Sequence, residues 1–257
     1  MVALVVQRTE RRGVGMSRVA LLEGLFPASV RAAEASEDDF GGQLWPSEQA
    51  LIESAVAARR REFTGGRVLA RRLMADLNLP ERAILSGPDR APTWPEGVVG
   101  SISHTGDRCV VAVAPRTAIA MLGLDIEVCR DLDRDLWPEV CAPEELAWLA
   151  EQPAEDRGWL ATLLFSAKEC GYKGEYPLTQ TFVDFQQGRV AVHRESDTEG
   201  TFEVGYPEEV ASRLPVPNPR GRWTIREGLV ITALAVTQPP GDAPLRGSPR
   251  TERPRTA

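Results

Sequence analysis

The chain has 257 residues, 42% of them hydrophobic and 26% charged, with 30 Lys and Arg against 37 Asp and Glu for a formal net charge of −7. That is enough apolar material to build a core in one large or two small domains, which excludes a disordered or fibrous chain. The negative balance argues against nucleic acid as a general partner, because duplex binding is carried by phosphate neutralisation from a basic surface.

Taken in chain order, residues 1–18 hold four Arg and one Glu and read as a flexible basic head. Pro46-Ser47 opens a helical pattern with Leu51, Ile52, Ala55 and Val56 on one face. Thr64, followed by Gly65-Gly66, reads as the N-cap of a second helix running to about Leu77, with Leu69, Leu73, Met74 and Leu77 facing the core. Between Ala55 and Ala75 lie six Arg and one Glu, ordinarily the mark of a solvated helix face; Arg67 and Arg71, at i and i+4, share one side. A Pro- and Gly-rich loop over 87–97 then gives way to short strand-like runs at 98–103, 109–114 and 118–126. Residues 131–156 form an acidic helical stretch with nine acids and one Arg, and 157–173 a long helix that turns Leu160, Leu163, Leu164 and Ala167 inward. Strands at 222–226 and 229–236 are joined by the hairpin signal Glu227-Gly228. The tail, 238–257, has five Pro and four Arg with little to bury, and is expected to be disordered. Helices then strands, twice over, is an α+β layout.

No apolar stretch approaches the roughly 20 residues that span a bilayer, and residues 2–6 are too short for a secretory core. Cys109, Cys129, Cys141 and Cys170 lack CxxC spacing, and the only histidines are His104 and His193, so neither a disulfide framework nor a Cys/His zinc site is expected. A reduced, cytoplasmic protein follows, with no membrane partner.

Three segments can carry chemistry. Gly100-Ser101-Ile102-Ser103-His104 delivers a histidine at the end of a strand of small residues, which alone is weak. In Gly123-Leu124-Asp125-Ile126-Glu127 the two acids stand two apart, so a strand puts both carboxylates on one face. Either they are solvated at an exposed edge, or a hard divalent cation such as Mg²⁺ sits between them. In Phe165-Ser166-Ala167-Lys168-Glu169-Cys170-Gly171-Tyr172-Lys173, Glu169 and Lys173 are four apart on an otherwise apolar helix. They suit an ion pair worth about 0.2 to 0.5 kcal/mol, or a site into which both project.

In that order, these three segments resemble the signature set of the surfactin-type 4′-phosphopantetheinyl transferases, and specifically the branch like the enterobactin-synthetase component. The Arg-rich segment Arg59-Arg60-Arg61-Glu62-Phe63-Thr64-Gly65-Gly66-Arg67 and the approach Ala91-Pro92-Thr93-Trp94-Pro95 fit the same branch. The resemblance runs from about Leu44 to Val236 and leaves out head and tail. It implies transfer of phosphopantetheine from coenzyme A to a serine of an apo acyl- or peptidyl-carrier protein, releasing adenosine 3′,5′-bisphosphate. Two similar α+β subdomains, 19–121 and 122–237, are then expected about a pseudo-twofold, with the active site in the cleft between them and the protein working as a monomer. Asp125, Glu127 and Glu169 would hold Mg²⁺, with Mn²⁺ as a substitute. Glu169 is a metal contact or the base for the serine proton, Lys173 and His104 act on phosphate, and Lys168 does so more peripherally. Arg59 and Arg67 would take the 3′-phosphate and nucleotide end of coenzyme A. Ser86, Gly87, Pro88, Asp89 and Arg90 lie where the family contacts adenine, and Ser103 and His104 where it contacts phosphate. Two departures stand out: Cys170 replaces a small Ala or Ser, and the 86–90 loop carries one cation where a more basic loop is expected. The competing readings are a non-catalytic coenzyme A or carrier-protein binding module and a metal-dependent phosphohydrolase.

Overall fold

The computed structural model describes residues 20–239 except Pro88; the head, and the tail beyond Pro239, lie outside the described residues. A 3-10 turn at Ala20–Leu22 leads to β1 (Arg31–Glu34), the one-turn helices α1 (Glu37–Phe40) and α2 (Pro46–Gln49), and the long α3 (Ala57–Asp76). A two-residue ladder of β2 (Leu85–Ser86) and β3 (Pro92–Thr93) precedes β4 (Val98–Thr105), β5 (Arg108–Pro115) and β6 (Ile119–Val128). Then come α4 (Trp137–Val140), α5 (Pro143–Glu151), α6 (Arg157–Thr179), β7 (Arg189–Arg194), β8 (Glu199–Gly205), α7 (Glu208–Ala211), β9 (Arg220–Arg226) and β10 (Leu229–Thr237). The fold is α+β, and among the described residues no helix is long and apolar enough to cross a membrane.

Two antiparallel sheets, ordered β1-β5-β4 and β6-β10-β9-β8-β7, carry the larger helices. Leu69, Leu73 and Met74 of α3 pack on Val98, Val111 and Val113 of the first sheet. Leu160, Leu163, Leu164 and Ala167 of α6 join Phe202, Trp223, Val230 and Leu234 on the second. A third cluster lies between the sheets, where Leu122, Leu124 and Ile126 meet Val110, Ala112, Ile231 and the N-terminal Leu21, Leu22 and Leu25. Each buried leucine contributes about 1.5 to 3 kcal/mol, so both sheets are anchored through β6. The division expected before Leu122 falls inside that strand.

β4 and β6 belong to different sheets and are joined by side chains. Ser101 Oγ accepts from Leu124 N at 3.0 Å and donates to Leu124 O at 3.3 Å, while Ser103 Oγ accepts from Ile126 N at 3.3 Å. Two residues apart on a strand, the serines face the same way and replace a backbone ladder with hydroxyls.

The helical expectations need three corrections. Thr64 is not an N-cap: α3 starts at Ala57 and runs through Gly65-Gly66. A Cβ on Gly65 would lie 2.5 Å from the Phe40 ring and one on Gly66 3.0 Å from Ile102, so this pair admits α1 and β4 to close contact. The helix expected from Pro46 is a single turn followed by a 3-10 turn, Ala50–Ile52, which buries Ile52 and leaves Leu51 and Val56 exposed. Helix α6 also outruns its expected end at Lys173 by six residues, with Pro177 in its last turn and Gln180 in the left-handed region closing it at φ 53°.

Candidate active site

β6 and α6 meet without a side chain between them at Gly123. A Cβ there would stand 2.1 Å from the Cys170 carbonyl oxygen, so the strand carrying Asp125 and Glu127 lies directly against the helix carrying Glu169 and Lys173. Asp125 is buried, and its Oδ1 accepts from Ser103 Oγ at 2.7 Å and Lys173 Nζ at 2.5 Å. Its Oδ2 accepts from Ser166 Oγ at 2.7 Å. Lys173 Nζ also donates to Ser103 Oγ at 3.0 Å. Among the described residues, nothing donates to the carboxylates of Glu127 or Glu169.

The electrostatics follow from this packing. Burial and then the Asp125 charge push Glu127 up to about 7, against Lys173. Burial also raises Glu169, with Lys173 opposing and Asp125 adding. For Lys173, burial pulls the ammonium down, but Asp125 and Glu169 more than offset it, so its pKa stands above that of an ordinary lysine. Of the cations acting on these three carboxylates, Lys173 is bonded to Asp125, and Arg130 acts on Glu127 through its charge alone. As they stand, no three His, Cys, Asp or Glu side chains among the described residues are grouped to hold a metal ion. All-oxygen, mutually repelling donors nonetheless have the chemistry that suits a hard divalent cation.

Beside this cluster opens a cavity of about 260 Å³, lined by Glu169, Lys173, His104, Arg59, Arg67, Asp89 and Arg90 together with residues of α3 and β4. Arg59 Nη1 donates to His104 Nε2 at 3.2 Å and approaches Glu62 Oε2 at 3.4 Å. Burial, then Arg59 and Lys173, lower the His104 pKa against the pull of Glu62, so the ring enters the cavity neutral. Arg67 is buried with its guanidinium over the Phe63 ring at 4.1 Å, donating from Nε to Ile84 O and from Nη2 to Ser86 Oγ, both at 3.1 Å. Burial lowers its pKa to about 10, which leaves it charged at neutral pH. In the loop, Asp89 Oδ1 accepts from Ala91 N at 3.0 Å, and Arg90 adopts the left-handed region at φ 67°. Ser86 and Gly87 do not border the cavity, and Pro88 lies outside the described residues. Ser103 is turned to Asp125 rather than to the cavity.

The amino-acid sequence matches the family model of the 4′-phosphopantetheinyl transferase N-terminal domain over residues 47–114 and that of the 4′-phosphopantetheinyl transferase superfamily over 121–228. It is 38% identical over 237 residues to the 4′-phosphopantetheinyl transferase Svp of Streptomyces mobaraensis, covering 88% of this chain and 92% of that protein. The chain belongs to the 4′-phosphopantetheinyl transferase superfamily. Other members of the superfamily give the same pattern. The Nocardia iowensis 4′-phosphopantetheinyl transferase Npt is 34% identical, covering 84% of this chain and 99% of that protein. Enterobactin synthase component D of Escherichia coli strain K12 is 30% identical over 74% of this chain and 83% of its own length.

Within this transferase, the two lysines of the α6 motif part company. Lys168 does not reach the cavity: it is buried, ion-paired to Glu145 Oε2 at 2.7 Å, and donates to Val140 O at 2.8 Å and Phe185 O at 2.6 Å. That corrects its expected phosphate role. Residues not anticipated are Glu62, Trp94, Tyr172, Tyr176 and Pro177, all lining the cavity. Helical spacing does hold a signal for the tyrosines, since Glu169, Tyr172, Lys173 and Tyr176 fall at i, i+3, i+4 and i+7 on one stripe.

Proposed function

We propose that this phosphopantetheinyl transferase moves the 4′-phosphopantetheine arm of coenzyme A onto a serine hydroxyl of an apo acyl- or peptidyl-carrier protein, with adenosine 3′,5′-bisphosphate leaving. The observation that carries this reading is the Glu169–Lys173 stripe at the wall of a cavity bordered by Arg59, Arg67 and His104, with buried Asp125 bonded to Lys173 behind that wall. Phosphoryl transfer needs positioning and charge neutralisation more than covalent help, and the cavity supplies both. Arg59 and Arg67 hold the phosphates of the nucleotide end, and Asp89 and Arg90, at the end of the 86–90 loop, border the base. Glu169, its carboxylate free of protein donors and its pKa raised, takes the serine proton as the new O–P bond forms. As the diphosphate P–O bond breaks, Lys173 and neutral His104 meet the charge that collects on the departing phosphate. Asp125, Glu127 and Glu169 would hold Mg²⁺, or Mn²⁺ in its place, and when bound it neutralises the diphosphate. In Glu169, metal contact and base compete. We further place the working unit as a cytoplasmic monomer of two subdomains, 19–121 and 122–237, with coenzyme A between them.

The test is incubation with coenzyme A, Mg²⁺ and an apo carrier protein, with the carrier weighed by mass spectrometry. A phosphopantetheine adduct is expected, and it should fall sharply for Glu127→Gln with the far-UV spectrum unchanged. Absence of adduct on several different carriers overturns the reading, and coenzyme A consumption without any carrier would make the protein a phosphohydrolase.

A further inference from the structure

Among the described residues Asp125 has three donors, and they differ in kind. Ser103 and Ser166 are buried, fixed by β4 and by the core of α6, and their hydroxyls stay wherever those elements stay. Lys173 instead reaches Oδ1 on a flexible four-carbon stem, with a quarter of its side chain exposed (26%), and it also borders the cavity beside His104 and Arg59. It is therefore the donor that can leave, and the place it can go is where phosphate would lie. Among the described residues, Glu127 and Glu169 have no such occupant. A lysine ammonium and a divalent cation both seek carboxylate oxygen, and two positive charges on one oxygen repel.

We infer that Lys173 is a built-in counter-ion that competes with the divalent cation for Asp125 and is drawn off it by phosphate, so that one side chain couples metal binding to coenzyme A binding. The inference rests on the reading that Asp125, Glu127 and Glu169 bind a divalent cation. Its consequence is that a metal loads poorly when the phosphate site is empty and well when it is filled. By linkage, the factor by which coenzyme A tightens the metal equals the factor by which the metal tightens coenzyme A, ordinarily about 5- to 150-fold.

The experiment measures Mn²⁺ affinity from the paramagnetic resonance signal of the free ion, on the full-length protein without carrier protein, so that no turnover occurs. Without coenzyme A, Lys173→Met should bind Mn²⁺ about tenfold or more tighter than wild type. Arg130→Gln removes a charge that acts on Glu127 but makes no contact with Asp125, and should change the affinity less than about threefold. Saturating coenzyme A should then tighten Mn²⁺ binding more in wild type than in Lys173→Met. Unchanged Mn²⁺ affinity in Lys173→Met, or an equal gain in Arg130→Gln, overturns the competition. If Lys173→Met does not fold, trace acetylation of the wild-type protein read by mass spectrometry serves in its place. Mn²⁺ alone should raise Lys173 labelling severalfold, and no rise overturns the inference. Asp125→Asn separates the two levels of argument. If it abolishes Mn²⁺ binding while Lys173→Met changes nothing, only the competition fails; if Asp125→Asn binds Mn²⁺ as wild type does, the carboxylate site itself fails with it.

Discussion

Glu175 is fully buried on α6, six residues past Glu169, and does not line the cavity. Its Oε2 accepts from Thr179 Oγ1 at 2.5 Å, while its Oε1 and the nearby Tyr206 hydroxyl have no partner among the described residues. Burial raises its pKa from 4.5 to about 7, against the Thr179 hydrogen bond and the charge of Arg213. Moving a carboxyl by that much corresponds to about 3 kcal/mol at 1.36 kcal/mol for each pH unit. Between 4.5 and about 7 the folded chain holds a proton that the unfolded chain has released. The stability this proton supports is therefore fully present below 4.5 and is lost as pH rises through about 7. Glu175→Gln keeps the shape and removes the titration. Urea unfolding of both proteins at pH 5.5 and 8.5 spans most of the transition. The advantage of Glu175→Gln over wild type should grow by about 2 kcal/mol between the two pH values. A difference between the two proteins that does not change with pH would refute the reasoning.

Three further outcomes follow from the same contacts. Gly123→Ala places a methyl against the Cys170 carbonyl; overpacking of this kind ordinarily costs about 1 to 3 kcal/mol and here pushes Asp125 away from Glu169, so both melting temperature and transfer rate should drop. An unchanged melting curve would contradict the close approach. Lys168→Met leaves Glu145 buried without its cation and should cost about 3 to 5 kcal/mol in urea unfolding without raising KM for coenzyme A. A stable variant with only KM raised would restore its phosphate role. The His104 ring, held down by burial with help from Arg59 and Lys173, should titrate below 6.5 in the proton NMR spectrum, assigned by loss of the resonance in His104→Gln; a midpoint at or above 6.5 would contradict its neutral state.

What could be read from the sequence was local. Strands β4 to β6, β9 and β10 declared themselves through alternation and turn chemistry, and Glu227-Gly228 does form a turn with φ of 51° and 73°. Gly65-Gly66 misled because a glycine pair usually breaks a helix, whereas here it answers a tertiary demand, room for Phe40 and Ile102, that no window of sequence contains. The approach of Asp125 to the Glu169–Lys173 stripe was legible in part, because two short periodic segments carry these residues. Lys168 was misassigned although helix geometry alone separates it: at 100° per residue it lies 140° around α6 from Lys173, on the side that faces α4 and α5. Glu62 was invisible for the opposite reason, as one acid inside an arginine run looks like an ordinary helical ion pair.

That run also bears on how an acidic chain makes room for an anionic ligand. Of its six arginines, Arg71 is spent on buried Glu48 at 2.5 Å and on Gln43 O, Arg72 on Asp39, Arg61 on Glu37 and the Phe40 ring, and Arg60 on Ala55 O. Arg67 and Arg71 share one side of the helix yet part in use, since Arg71 clamps α2 and Arg67 lines the cavity. Of the six, Arg59 and Arg67 border the cavity; eight residues apart, they stand about 80° from each other around α3 and reach it from adjoining faces. The excess charge of the segment is therefore largely cancelled where it stands. What the cavity has instead is geometry: the guanidinium groups of Arg59, Arg67 and Arg90, a neutral histidine and a lysine already balanced by Asp125, so that an arriving phosphate gains most from the cation able to move.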